Sequence, residues 1–293
     1  MIFVSKDNPL RRINIFTTRK MFLLFFILIN SYVLAQSAIQ MQYDYAYQLF
    51  NDEKYFDAIT EFKRLQFFDS LNQFSFSSNK MIAMSYKKGG KFNEAVKYFS
   101  LAELNAPNPD YLFDSKIEVI KTNLLRRTIY RAIDLLKDLD EDVRFNSKRD
   151  QITYWKGWAY IFNDDWEKAS QEFAKVDANH ELARLCGNVY DAQYSQTKAK
   201  VLSYILPGAG QFYTGNFISG ILSFSWIALW SYIAVEAFVA DRIFDGLMVA
   251  NFLDFRFYNG NIQNAEKFAE ERNSETSNWM LNHLRNNYSG PKP

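Results

Sequence analysis

From about residue 40, apolar residues recur every three and four positions, the spacing that gathers them on one face of an α-helix. The helical stretches are themselves periodic: Ala58, Ala95, Ala132 and Ala169 each stand 37 residues after the one before. Their flanks keep step, with Tyr55, Phe92, Ile129 and Trp166 three residues earlier and Phe62, Phe99, Leu136 and Phe173 four residues later. Nine residues before each alanine come Leu49, Tyr86, Asn123 and Tyr160, and twelve before come Ala46, Ala83, Ile120 and Gly157. A small residue with a larger one three positions on shares one helical face with it and lets a neighbouring helix approach. Each unit therefore predicts two antiparallel helices, joined where the turn-forming pairs Asn51-Asp52, Gly89-Gly90 and Asn163-Asp164 fall. A single unit cannot bury both faces, so the units are expected to stack. A further helix is expected over about 179–197, where Gly187 and Tyr190 repeat the three-residue spacing.

The segments AYQLFNDEKYFDAITEFKRL, IAMSYKKGGKFNEAVKYFSLAELNAPNP and KGWAYIFNDDWEKASQEFAKV resemble tetratricopeptide repeats, over about residues 40–195. Two departures stand out: the period is 37 rather than the family's 34, and the third unit carries Ile120 and Asn123 where the family prefers a small residue and an aromatic. The resemblance implies a helical solenoid whose concave surface is lined by first-helix positions. These are Tyr43, Tyr47 and Phe50 in the first unit, Lys80, Met84, Lys87 and Lys88 in the second, and Tyr154, Trp158 and Phe162 in the fourth. An aromatic trough with a basic step suits an extended peptide bearing apolar and acidic residues; the competing reading is that these rings pack against the neighbouring repeat. Lys80 is followed one turn later by Met84 rather than Asn, so the carboxylate-clamp pattern of the family is not met.

After residue 197 the pattern changes to long apolar runs. The run 217–235 has no charged residue and continues through Glu236 to Ala240, long enough to cross a bilayer. A shorter, more broken stretch over 243–258 follows, and the two predict a helical hairpin connected by 241–245. The alternative is a buried hairpin in a soluble domain, because Asp245, Asp254 and Arg256 interrupt the second stretch. Gly215, Ser219 and Ser223 form a stripe of small side chains suited to close helix packing. Ahead of them, Pro207 ends a helix, and Gly208 and Gly210 permit a sharp re-entry. No strand precedes these glycines and no Lys-Ser/Thr follows them, so they are not a phosphate-cradling loop. The segments LPGAGQFYTGNFISGIL, VEAF and FYNGNIQNAEKFAEERN are similar to an uncharacterised membrane region found behind tetratricopeptide repeats in bacterial envelope proteins, and the glycine-rich Phe-Tyr-x-Gly turn resembles that of the small two-transmembrane-helix domain family. The likeness covers about 199–273, implies a membrane address, and draws attention to Pro207, Gly208, Gly210, Gln211, Tyr213, Gly215 and Glu236 without supplying a catalytic residue. Glu236, a carboxylate in an apolar run, is expected either to pair with Arg256 or Arg242 or to sit at headgroup level.

At the N-terminus, Arg11, Arg12, Arg19 and Lys20 precede the charge-free run 21–35, which closes on Ala35: the order of a secretory signal, cleaved after Ala35 or, as the alternative, kept as an uncleaved anchor. The expected organisation is a signal peptide over 1–35, a tetratricopeptide-like array over 36–197, a membrane-associated helical region over 198–273 and a polar tail over 274–293. The fold expected is all-α, a helical solenoid followed by a hydrophobic membrane hairpin, with the repeats exported to the bacterial periplasm. Composition narrows the function. Lys plus Arg (34) balance Asp plus Glu (33) to a net +1, which leaves no basic field for nucleic acid. A single cysteine, Cys186, rules out an internal disulfide or a CxxC metal knuckle. His180 and His283 are the only histidines, are expected to be solvated, and have no relay or metal-ligand pattern around them. The expectation is a non-enzymatic scaffold or adaptor that binds protein partners through its groove and attaches to the lipid bilayer, with no cofactor, metal or small-molecule substrate. The other class kept open is a small transporter-like or lipid-handling membrane protein with regulatory repeats.

Overall fold

A computed structural model describes residues 38–293 together with Met21; the expected signal segment otherwise lies outside the described residues. Among these, all regular structure is helical, and the chain divides into two compact units, Met1–Arg149 and Asp150–Lys292.

The first unit contains α1 (38–51), α2 (Tyr55–Phe68), α3 (Ser75–Lys88), α4 (Phe92–Leu104), α5 (Pro109–Leu125) and α6 (Ile129–Glu141). From α2 onward each helix packs on the next, and α1 is held through Ala46 and Leu49 in one cluster with Ala58, Phe62 and Leu65. A 3-10 turn, Val143–Lys148, tucks Phe145 against Phe113 with ring centroids 5.3 Å apart.

The 37-residue register is a register of helix ends, and its cause is one repeated turn. Glu53, Gly90 and Arg127 take left-handed φ angles of 60°, 72° and 63°. The next residue in each case, Lys54, Lys91 or Thr128, donates its N–H to the carbonyl five residues back, on Leu49, Tyr86 or Asn123, at 2.9, 2.8 and 3.0 Å. This Schellman closure satisfies carbonyls left open at a helix end and lets the following helix start at once, at Tyr55, Phe92 or Ile129. The alanine columns are fully buried: Ala46 and Ala83 in the first helices, Ala58, Ala95 and Ala132 in the second, with Phe62, Phe99 and Leu136 beneath them. Asn123 fills the aromatic position of the third unit by a polar stitch. Its amide donates to the Val119 carbonyl at 2.8 Å while its Oδ1 accepts from Thr128 Oγ1 at 2.8 Å.

The second unit contains α7 (Arg149–Phe162), α8 (Trp166–Val176), α9 (Glu181–Ala192), α10 (Gln196–Ile205), α11 (Ala209–Tyr213), α12 (Phe217–Val239), α13 (Ile243–Val249), a π-turn (Ala250–Asp254) and α14 (Phe255–Asn287). The register of the first unit persists into it: Asp164 is left-handed at φ 60°, Asp165 donates to the Tyr160 carbonyl at 3.0 Å, and α8 starts at Trp166. A Cβ on Gly157 would lie 2.6 Å from the Phe173 ring, so the closest approach of α7 to α8 leaves no room for a side chain there.

Two expectations are corrected in this unit. The segment expected to be a polar tail, 274–293, is mostly the last part of α14, with Ser277, Met280 and Leu284 buried. Together with Tyr288 these residues recur at intervals of three and four, a sparse stripe hidden among polar neighbours. His180 is not simply solvated: its ring stacks on Phe173 with centroids 5.3 Å apart, and its Nδ1 accepts from the Leu182 N–H at 3.1 Å, capping α9. Cys186 is fully buried, and burial pushes its thiol up to about 12.

Candidate functional site

The groove positions of the first unit divide into packed and free side chains. Tyr43 meets Phe74 and Phe62 at ring distances of 5.1 and 5.7 Å and is half-buried. Tyr47 is exposed, and with Tyr43 and Phe50 it makes a ladder of parallel rings, 6.2 and 6.4 Å apart, along one face of α1. On α3, Met84 packs against the cluster of Ala83, Ala95, Phe99 and Val119, and the Lys80 ammonium lies 5.8 Å over the Phe76 ring. Lys87, expected as a free cation, instead pairs with Glu118 of α5 at 2.9 Å, and Glu118 also holds Lys121 at 2.5 Å. Burial pulls the Lys87 ammonium below its ordinary value although Glu118 opposes the shift. Burial alone would raise the Glu118 carboxyl, but the two ammonium groups outweigh it and hold the carboxyl below its usual range. Lys87 is therefore a strut between α3 and α5, which leaves Tyr47, Lys80 and Lys88 as the accessible chemistry of this face.

In the second unit the expected open groove is covered by Tyr288 and Pro291 of the same chain. Trp158 is buried, 6.1 Å from the Tyr288 ring. The Tyr154 hydroxyl lies 3.1 Å from that of Tyr288 and donates to the Pro291 carbonyl at 2.5 Å. The Phe162 ring is tilted against that of Trp158, with centroids 6.4 Å apart. Farther along α14, Trp166 donates its indole N–H to Ser277 Oγ at 2.9 Å.

The glycine-rich motif forms a polar joint between α10, α11, α12 and α14. Pro207 follows the capped end of α10, where Leu206 donates to the Leu202 carbonyl at 2.9 Å. Gly208 is left-handed, at φ 87°, and its N–H donates to Asn261 Oδ1 at 2.9 Å. Gly210 lies against the Ala199 carbonyl and Ala265, and its N–H donates to Ser203 Oγ at 3.1 Å. Gln211 is fully buried; its amide donates at 2.9 Å to both the carbonyl and the Oδ1 of Asn261, and its Oε1 accepts from Ser203 at 3.3 Å. Tyr213 stands edge-on to Tyr194 at 5.3 Å, under the Lys198 ammonium. Gly215, at φ 79°, closes the same Schellman turn seen in the repeats, with Asn216 donating to the Gln211 carbonyl at 2.8 Å. Buried polar groups of this kind persist because each one is paired, so these motif residues fasten helices together.

Glu236 lies apart from the joint, at the far end of α12. It is exposed and accepts from Tyr232 Oη at 3.2 Å, while Arg242, one of its two expected partners, pairs with Asp245 at 3.8 Å. Helix α12 is long and apolar enough to cross a membrane, by length and composition.

No family model, curated protein or solved structure matches this chain.

The site must therefore be read from its own chemistry. Sequence reasoning missed three of its residues. Asn261 receives Gln211 from 50 positions away, and its only signal is the Asn-Gly-Asn stretch at 259–261. Glu118 gave none, because its partner Lys87 lies 31 residues earlier on another helix. Tyr288 had only its place at the end of the stripe along α14.

Proposed function

We propose that this chain is an exported, membrane-attached, non-enzymatic scaffold: a tetratricopeptide-like array that recruits a protein partner, followed by a helical membrane hairpin. The observation that carries the reading is the apolar surface of α12 and α13. Helix α12 has 23 residues, about 34 Å at ~1.5 Å per residue, against a hydrocarbon core of about 30 Å. Its apolar side chains point outward: Ile218 is 78%, Val239 79% and, on α13, Phe244 73% exposed. A soluble monomer rarely leaves so continuous an apolar face in water, whereas lipid accepts it. The return of α14 to α9 and to Trp166 supports a hairpin, because a chain re-joining the helices that precede the insertion leaves the bilayer on the side by which it entered. The residues at 241–245 then form the tip. Four helix pairs closed by one repeated turn support the tetratricopeptide-like reading, and Tyr47 and Lys88 offer the free binding chemistry.

The test has two parts. After alkaline carbonate extraction of cells producing the full chain, the protein should stay with the membranes; quantitative release would overturn the attachment. With a photoreactive phenylalanine analogue at position 47 or 158, crosslinks to another protein should come from position 47 and not from 158. Crosslinks from neither, in a folded protein, would sink the recruiting role of the first-unit face.

A further inference from the structure

Helices α12 and α14 border a cleft of about 350 Å³ that adjoins the polar joint through Asn261 and through Ser223, whose Oγ accepts from the Gln211 amide at 3.4 Å. Ser219, Ser223 and Trp226 of α12 form one wall, and Arg256 and Asn264 of α14 face them. Arg256 is exposed and, among the described residues, makes neither an ion pair nor a hydrogen bond. Asp254, two residues away, is engaged elsewhere, accepting from Ser231 Oγ at 2.8 Å. The cleft lies beside the N-terminal third of α12. From Ser219 to Val239, about 21 residues, the helix rises roughly 31 Å, which by itself matches a hydrocarbon core. With α12 inserted and Ser219 at the edge of the hydrocarbon core, the cleft runs from the headgroup boundary to about 10 Å inside it at Trp226, and the exposed apolar side chains of α12 extend from it toward the bilayer centre.

An unpaired guanidinium at that depth is costly unless an anion meets it. Guanidinium, carboxamide and two hydroxyls form a donor set suited to the oxygens of a phosphodiester. We propose that this cleft binds the phosphate of an anionic glycerophospholipid, with Arg256, Asn264, Ser219 and Ser223 around the headgroup and the acyl chains lying along α12. The proposal rests on the membrane reading given above and adds a specific ligand class to it.

The experiment uses the full chain in detergent, titrated with phosphatidylglycerol or phosphatidylcholine and read by native mass spectrometry, alongside Arg256→Gln and Arg256→Lys. The wild type should retain one phosphatidylglycerol about tenfold more tightly than phosphatidylcholine. Arg256→Gln should lose that preference and Arg256→Lys keep part of it, all three with the same circular dichroism. Equal retention of phosphatidylglycerol by wild type and Arg256→Gln, or no preference in the wild type, overturns the proposal. So does displacement of the lipid by inorganic phosphate at matching concentration, which would make the ligand a free anion. Cosedimentation with vesicles of both lipids separates the two layers of inference. A wild type that binds neither vesicle overturns the membrane reading and this proposal together; one that binds vesicles without the Arg256-dependent preference overturns this proposal alone.

Discussion

Gly210→Ala is the substitution the structure condemns most clearly. A methyl group there would sit 2.2 Å from the Ala199 carbonyl oxygen, 2.4 Å from Ser203 Oγ and 2.6 Å from the Ala265 methyl, where ordinary carbon contacts lie at about 3.5–4.0 Å. Backbone on α10 and a side chain on α14 both block it, so no single rotamer change relieves the clash, and α11 must move off its neighbours by about 1 Å. Overpacking of that kind costs roughly 1–3 kcal/mol. The shift also pulls the Gly210 N–H away from Ser203 Oγ in a buried site, adding about 1–3 kcal/mol. A total near 4 kcal/mol corresponds to a fall in Tm of about 10 °C for a unit of this size. Gly260→Ala is the control, because Gly260 is helical and a Cβ there meets nothing within 4 Å; it should gain about 0.5–1 kcal/mol. Near-ultraviolet circular dichroism of the detergent-solubilised full chain, followed through thermal unfolding, measures both. A Gly210→Ala variant that melts with the wild type, or a Gly260→Ala variant that proves the more damaging of the pair, refutes the close packing at Gly210.

Glu53→Gly should stabilise the first unit by up to about 1 kcal/mol, since a left-handed non-glycine is strained, while Gly90→Ala at the equivalent turn should cost about as much; thermal unfolding that moves both variants the same way would contradict the shared turn. Glu118 has a depressed folded-state pKa, so its stabilising contribution is complete above its ordinary value of 4.5 and is lost as pH falls through the lower folded value. Stability measured between pH 6 and pH 3 should fall less steeply in Glu118→Gln than in the wild type, and parallel curves would show that the Lys87 strut contributes no linkage. The buried Cys186 thiol, held neutral by its raised pKa, should resist a soluble maleimide at pH 8 for as long as the fold lasts and react on denaturation; rapid labelling of native protein would argue against its packing.

The repeat was legible because its cause is local: alanine columns and the aromatic residues beside them lie within one turn of helix of each other, and the spacing between columns is set by one short turn. The turn itself was only partly visible. Gly90 announces a left-handed residue, whereas Glu53 and Arg127 adopt the same conformation without any such signal. Contacts that join distant parts of the chain were hidden for a related reason. Nothing near Gln211 points to Asn261, nothing near Lys87 points to Glu118, and the groove expected at Tyr154 and Trp158 gave no sign that Tyr288 would cover it. The end of α14 read as a tail because Ser277, Met280, Leu284 and Tyr288 are too few, and one of them too polar, to raise the apolar content of their surroundings.

The contact between Tyr154 and Tyr288 spans 134 residues, and that separation bears on how the chain is built. The first unit is assembled from contacts between successive helices, each of which can form as soon as its partner has been synthesised. The second unit cannot finish in that way. Its helix α7 keeps Trp158 and Tyr154 without their covering until residues 288–291 arrive, and the cost of closing so long a loop is borne only then. Chains stalled before residue 288 should therefore carry a protease-resistant first unit and an unfinished second one, a state in which the aromatic face of α7 is open.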